Sequence, residues 1–291
     1  VSGIAESELI LNERGAVYHL NLRPEEIAHD IITVGDPERV ADLSKYFDKI
    51  EVKVQTREFV THTGYIGKKR LSVVSTGIGT DNIDIVFNEL DALVNIDFDH
   101  RTIKKQLTKL NIVRVGTSGG LQKDVPVDSL LVSSYGIGID NLLNFYNTES
   151  TIEEQEMLRA FIEQTGLSEG LSKPYINPCS KTLASYFNDG FYTGITVTCP
   201  GFYGPQGRVL RLSTRNPDLI NKLTLFDYNG HKITNFEMET AGIYGMGKLL
   251  GHETLSLNAI MANRITGEFS KDAKGTMTKL IVKTLDILTS I

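Results

Sequence analysis

Four short segments of this 291-residue chain carry side chains that could do chemistry. In Val34-Gly35-Asp36-Pro37-Glu38-Arg39-Val40 an apolar run ends at a glycine, where a backbone can approach a ligand, and a proline suited to the first position of a helix follows. Asp36 can cap that helix, which puts Arg39 in its first turn. A cation there opposes the helix dipole, whereas the free N–H groups of the turn favour an anion. The arginine therefore hints at an anionic partner, with a surface arginine after an ordinary β-α turn as the alternative. In Val113-Arg114-Val115-Gly116-Thr117-Ser118-Gly119-Gly120, Arg114 lies inside an otherwise apolar strand. A buried arginine needs an acid or an anionic ligand. Thr117, Ser118 and the glycines add hydroxyls and open N–H groups at a strand end, where α/β proteins bind ligands. A buried salt bridge above a tight turn is the alternative.

Asn235-Phe236-Glu237-Met238-Glu239-Thr240 places two carboxylates around a methionine, at the expected start of a helix that Gly251 ends. Such carboxylates can accept from sugar hydroxyls while Met238 offers a soft apolar face. Acids also favour helix N-termini on electrostatic grounds alone. Gly201-Phe202-Tyr203-Gly204-Pro205-Gln206-Gly207-Arg208 is a Gly/Pro loop in which Gln206 and Arg208 could read the edge of a flat heterocycle while Phe202 packs on its face. A surface loop with an aromatic anchor is the plainer reading. Gly77-Ile78-Gly79 opens like a dinucleotide fingerprint, but the last glycine is missing, so no Rossmann cofactor is expected.

The elements that must position these groups follow an alternation of strands and helices from about residue 31 onward. Short apolar strands are expected at Ile31–Val34, Leu71–Ser75, Ile112–Val115 (breaking at Gly116), Leu130–Ser133, Ile195–Thr198 and Leu255–Met261. Met238, Gly242, Met246 and Leu249 share one helical face, as do Met277, Ile281, Leu285 and Leu288. The polar stretch 95–109 is expected to be a helical excursion, and 166–177 a surface loop. The fold class expected is α/β: one three-layer α/β/α sandwich around a mixed central sheet, with 1–17 as an N-terminal extension and 18–291 as the domain.

Lys+Arg 30 against Asp+Glu 36 leaves a net charge of −6, which argues against binding along a nucleic-acid backbone. The two cysteines, Cys179 and Cys199, and six scattered histidines show no ligand spacing; two reduced, buried thiols and no metal are expected. The first residues lack a signal peptide's basic start and apolar core, and no stretch has the length of a membrane span. No membrane partner and a cytoplasmic location are expected.

Together these segments resemble the nucleoside phosphorylase superfamily, and most closely its uridine-cleaving branch. The likeness runs from about Tyr18 to the C-terminus through His19-Leu20-Asn21-Leu22, Gly35–Arg39, Arg57-Glu58-Phe59, Ser75–Gly79, Arg114–Gly119, Phe202–Arg208, Phe236–Glu239 and Asn263-Arg264. The resemblance implies reversible phosphorolysis of uridine to uracil and ribose 1-phosphate. It implies that Gly35, Arg39, Arg114 and Thr117 bind phosphate, with Arg57 lent by a neighbouring subunit. Met238 and Glu239 would hold the ribose, supported by Glu237, with His19 of the neighbour at its 5′-hydroxyl. Phe202, Gln206 and Arg208 would hold the base, and Arg264 would brace their loop. Arg39, Arg114, Thr117, Arg208 and Glu239 would carry the catalysis.

No cofactor is implied, phosphate being a co-substrate, and the working unit would be a homodimer or a hexamer built from dimers. Purine-cleaving relatives place an aspartate near Asn263, absent here. Relatives with a monovalent-cation site pair an acid matching Glu58 with a hydroxyl near Asn82, and only the acid is present. The rival readings are a purine-type phosphorylase, a nucleosidase using water, and a non-catalytic nucleoside-binding protein.

Overall fold

The computed structural model describes residues 3–167 and 173–291. Its elements, in chain order, are β1 (Asp30–Val34), α1 (Pro37–Ser44), β2 (Lys49–Thr56), β3 (Phe59–Ile66), β4 (Lys69–Ser75), α2 (Thr80–Asn95), β5 (Ile96–Asp97), β6 (Thr102–Ile103), β7 (Asn111–Gly120), β8 (Leu130–Gly138) and α3 (Ile152–Thr165). They continue with β9 (Tyr175–Pro178), α4 (Lys181–Ala184), β10 (Tyr192–Thr198), α5 (Leu219–Leu225), β11 (Asp227–Tyr228), β12 (His231–Glu237), α6 (Thr240–Leu250), β13 (Glu253–Asn263), β14 (Glu268–Phe269) and α7 (Ala273–Ser290).

The main sheet is mixed. Its strands follow the order β11-β12-β10-β8-β13-β7-β1-β4-β3-β2. A further antiparallel pairing, Asn235 with Gly120 and Phe236 with Gly119, joins β12 back to β7. Five strands, β7, β13, β8, β10 and β12, thereby close into a small barrel. Helices cover both faces of the sheet. One face packs Val40, Leu43 and Leu183 with Leu280, Ile281, Leu285 and Leu288 of α7. The other packs α2 and α6 through Ile83, Phe87, Leu90, Ile243 and Met246. Residues 3–17 are not loose: Leu9 and Val17 join this second cluster.

The expected α/β/α sandwich with a mixed sheet is what forms, and several boundaries move for physical reasons. β7 does not break at Gly116; it runs on to Gly120, with Gly116 paired to Asn258 of β13. The glycine serves a close approach instead. A Cβ there would stand 2.2 Å from Nη1 of Arg114, whose side chain folds along its own strand. The segment 95–109 is not helical. α2 stops at Asn95, and Ile96–Asp97 pairs with Thr102–Ile103 in a short hairpin. Arg101 at its tip donates to the carbonyls of Ile4 and Ala5, fastening the N-terminal segment there. Within 166–177, Tyr175–Pro178 is a strand on β8, residues 168–172 lying outside the described part. Leu249 is exposed, so the helical face drawn through it ends at Met246. Cys199 is buried but Cys179 only half-buried, and both are free thiols. No described helix is long and apolar enough to cross a membrane.

α6 lies close on the barrel because β8 offers no side chain beneath its first turn. A Cβ on Gly136 would meet Cα of Ala241 at 2.8 Å and its backbone nitrogen at 3.0 Å. Gly136→Ala is therefore expected to lower unfolding stability by about 1–3 kcal/mol, the usual cost of overpacking. A urea midpoint equal to that of the wild type would contradict this packing.

Candidate functional site

A cleft of about 790 Å³ opens at the mouth of the barrel. It gathers Gly35, Arg39, Arg114, Thr117, Phe202, Gln206, Arg208, Glu237, Met238 and Glu239 from segments spread over two hundred residues. At one end β1 and α1 supply the turn foreseen from sequence: Pro37 opens the helix, and the Asp36 carboxylate accepts from the Glu38 N–H at 2.9 Å. Arg39 stands half-buried in the first turn, and among the described residues no hydrogen bond or ion pair joins its guanidinium. Burial lowers its pKa, the Arg114 charge lowers it further, and Asp36 offsets only part of this. A half-buried cation facing a second cation is a place where an anion is missing.

Arg114 is 5% exposed and fully engaged. Its Nη2 lies 2.8 Å from Glu239 Oε2 and 3.1 Å from Glu237 Oε2, and its Nη1 donates to Asn258 Oδ1 at 2.9 Å. Burial alone would lower the arginine's pKa, but the charges of Glu237 and Glu239 outweigh it and hold the group above its ordinary value. The acid partner that the sequence demanded is therefore inside the protein, as in the salt-bridge alternative. The pair still borders the cleft.

The carboxylates do not sit in the first turn of the helix, contrary to expectation. β12 continues through Glu237, because Phe236 and Glu237 pair with Val197 and Thr198 of β10, and the helix begins at Thr240. Glu237 caps it from outside, accepting from the N–H groups of Glu239 at 3.0 Å and Thr240 at 2.9 Å and from the Thr198 hydroxyl at 2.7 Å. Burial pushes its carboxyl above the usual range; Arg114 pulls the other way, and Glu239 adds to the rise. Glu239 turns its Oε1 to the Gly79 N–H at 2.9 Å. The failed dinucleotide fingerprint thus has a place in the site. Gly79, at φ 93°, adopts the left-handed conformation that lets its N–H meet Glu239. Met238 is half-buried on the cleft wall.

At the other end Arg208 stacks on Phe202, its guanidinium carbon 3.8 Å from the ring centroid, and donates to the Phe202 carbonyl and to Gln206 Oε1. Burial and the nearby Arg264 charge lower its pKa. Arg264 braces this loop by donating to the Gln206 carbonyl at 3.0 Å. The sequence did not mark Phe236, Met261 and Phe269 as walls of this end, since apolar residues carry no chemical signature. A second cavity, of about 690 Å³, is bordered by Asp140, Arg208 and the segment Leu210–Asn216; it shares Arg208, and among the described residues no ion pair joins its arginines to Asp140.

His19 and Arg57 do not line the cleft of their own chain. They lie near each other. The Tyr18 ring contacts His19 at 4.9 Å between centroids and has the Arg57 guanidinium 6.0 Å from its own. Glu89 holds His19, accepting from its backbone N–H at 2.9 Å and lying 2.6 Å from its ring Nδ1. Glu58, next to Arg57, does border the cleft, where the Asn82 amide donates to it at 3.2 Å. Among the described residues no three of His, Cys, Asp or Glu gather as metal ligands.

Fold and cleft are those of an α/β enzyme that carries its site at the mouth of a strand barrel. The sequence model of the phosphorylase superfamily matches residues 30–291, and the chain belongs to that family. It is 28% identical over 273 residues to the uridine phosphorylase of Thermococcus kodakarensis, covering 93% of this chain and 86% of that one. It is 26% identical to the uridine phosphorylase of Haemophilus influenzae over 88% of this chain and 90% of the other. Among solved structures, a Trypanosoma brucei nucleoside phosphorylase described as showing uridine phosphorylase activity superposes with a TM-score of 0.88 at 28% identity, over 98% of this chain and all of that one.

Because its folded-state pKa is raised, Glu237 contributes stability that is complete below the unfolded carboxylate value of about 4.3 and is lost as pH rises through the folded one. Urea midpoints of wild type and Glu237→Gln, taken between about pH 4 and 8, are expected to show the wild type losing stability relative to the variant as pH rises. A difference that does not change with pH would contradict the raised carboxyl.

Proposed function

We propose that this chain catalyses the phosphorolysis of uridine, releasing uracil and ribose 1-phosphate, with phosphate as co-substrate and no cofactor. The observation that carries the reading is the order of groups along one cleft: an unpartnered Arg39 beside Arg114, then the Glu237–Glu239 carboxylates, then the Phe202–Gln206–Arg208 platform. Phosphate fits the arginine end, with the Gly35 backbone and the Thr117 hydroxyl beside it. The ribose lies against Met238 and Glu239, whose position Glu237 fixes through its cap. The base stacks near Phe202 within reach of Gln206 and Arg208. As the glycosidic bond breaks, the ribose gains positive charge close to the phosphate dianion and the base gains negative charge close to the Arg208 donors. Catalysis is then electrostatic stabilisation and positioning. Arg57 and His19 join the site from a second copy, which makes a homodimer the smallest working unit.

Asn263 favours a pyrimidine over a purine. Its amide donates to the carbonyls of Gln122 and Val125, and its oxygen accepts from the N–H groups of Ile265 and Thr266. It is buried and fully occupied in a turn. A purine ring nitrogen would find no acid there. The named uridine phosphorylases among its relatives support the same reading.

Uridine cleavage is expected to require phosphate, and turnover undiminished in its absence would point to a nucleosidase instead. The two arginines are expected to separate in a second test. Arg39→Ala, which breaks no internal bond, should raise the phosphate KM at least tenfold and change stability by less than about 1 kcal/mol. Arg114→Ala leaves two buried carboxylates unpaired and should cost about 3–5 kcal/mol of stability as well as activity. Equal stability losses in the two variants would refute this division.

A further inference from the structure

The turn at residues 17–22 carries His19 on a fixed base. Two backbone bonds close it: the Val17 N–H donates to the Leu22 carbonyl and the Asn21 N–H to the Val17 carbonyl, both at 2.9 Å. Asn21 takes the left-handed conformation, at φ 52°, which asparagine tolerates better than most residues. Val17, Leu20 and Leu22 are buried, whereas Tyr18 is exposed and the His19 side chain keeps 27% of its surface. Behind the turn stands α2. Its Phe87 and Leu90 lie in the core, so Glu89 between them is carried by a packed helix.

The Glu89 carboxylate accepts from the backbone N–H groups of His19 at 2.9 Å and Leu20 at 2.7 Å. Those two bonds satisfy the turn and would by themselves account for an acid at this place. The third contact does something else. Glu89 Oε1 lies 2.6 Å from ring Nδ1 of His19. Both carboxylate oxygens already accept from backbone N–H groups, so the carboxylate is the acceptor here too and Nδ1 carries the hydrogen. Nε2 is the nitrogen left for a ligand, and among the described residues no hydrogen bond engages it. The Tyr18 and Phe59 rings meet the imidazole edge-on, at 4.9 and 6.3 Å between centroids. Rotation about the bond to a histidine ring is broad and roughly two-fold, and a half-turn exchanges its nitrogen and carbon edges. The Nδ1 bond to Glu89 selects one of the two.

We propose that Glu89 is a positioning residue: it fixes the His19 ring so that Nε2 meets the ribose 5′-hydroxyl in the site of the second copy, and so sets how strongly the enzyme prefers nucleosides that carry this hydroxyl. This rests on the nucleoside reading above, which brings His19 to that site, and adds to it the residue that orients the contact. A hydroxyl both donates and accepts, so it suits Nε2 of the neutral ring, an acceptor, and Nε2 of the charged ring, a donor. What it cannot use is a ring turned the other way, with a carbon edge towards the sugar. A carboxylate on a rigid helix excludes that ring orientation before the substrate arrives.

The test is the ratio of kcat/KM for uridine to that for 5′-deoxyuridine, which lacks only the hydroxyl. The wild type is expected to prefer uridine about tenfold, the effect of one hydrogen bond, and His19→Ala to bring the ratio within about twofold of one. Glu89→Gln keeps the size of the side chain, but its amide nitrogen only donates, so it cannot hold both the Leu20 N–H and the Nδ1 hydrogen. It should lower the ratio at least about threefold, and add nothing when combined with His19→Ala. Glu89→Asp, whose carboxylate stands one methylene short of the ring, should lower the ratio too and serves if the first variant does not fold. A carboxylate that only fastens the turn would affect both nucleosides alike. Glu89 variants with a wild-type ratio therefore overturn the proposal, as does a wild-type ratio near one. Should the wild type cleave a different nucleoside, that nucleoside and its 5′-deoxy form replace the pair, and the substrate assignment alone falls. A wild type that cleaves no nucleoside overturns both the function and the inference.

Discussion

The buried contact of Arg114 with Glu237 and Glu239 is the constraint from which the rest of the site follows. Three charges at 2.8 and 3.1 Å, all nearly sealed from water, are tolerable only when each finds further hydrogen bonds. Each does. Arg114 spends its remaining donors on Asn258, Glu237 accepts from two N–H groups and a hydroxyl, and Glu239 accepts from Gly79. Removing Arg114 would strand both carboxylates, so three distant parts of the chain must arrive together. The end of β12, the start of α2 and the middle of β7 are fixed relative to one another by this cluster.

The barrel is the means by which they arrive. An open sheet would place β7 and β12 far apart, since three strands separate them in the strand order. Closure through Asn235–Gly120 and Phe236–Gly119 sets Glu237 beside Arg114. Closure of so few strands leaves little interior volume, and on β7 Gly116 leaves that space to the Arg114 guanidinium. The barrel is polar inside, where Arg114, Asn258, Ser133, Thr196 and Asn235 bond to one another, and apolar on its outer face, where Ile137, Ile195, Val197 and Ile233 pack.

Much of this could be seen in the sequence, for identifiable reasons. Asp36, Pro37 and Arg39 form a local motif whose geometry is decided within one turn, and the structure reproduces it. Arg114 announced its need for a partner by sitting in an apolar strand, but the partners lie 123 and 125 residues away, and no local rule supplies them. The start of α6 was misplaced because acids near a helix N-terminus look alike whether they cap from outside or lie in the first turn. Strand pairing with β10 decided that case. The hairpin at 96–103 was hidden because its tip is held by carbonyls of the N-terminal segment. The polar chain in the barrel did leave a trace: Leu255-Ser256-Leu257-Asn258 alternates apolar with polar in a strand otherwise fit for full burial. Such an alternation asks what lies on the polar side.

Charge counting bears on the proposed reaction as a whole. Within one chain the arginine end holds Arg39 and Arg114 against the carboxylates of Asp36, Glu58, Glu237 and Glu239. Among the described residues, a phosphate dianion entering here meets one cation that is not already claimed, Arg39, and carboxylates that repel it. The remaining positive charge has to come from elsewhere, or a carboxylate has to give up its charge. Burial, which raises the Glu237 pKa, works in the direction of the second course. The first is met if Arg57 of a second copy enters the site. Arg57 is an exposed arginine in a left-handed turn at φ 54°, next in sequence to a residue that borders the cleft. The described residues of a single chain therefore offer little positive charge to the phosphate of the proposed reaction. That deficit is a physical argument for the proposed homodimer.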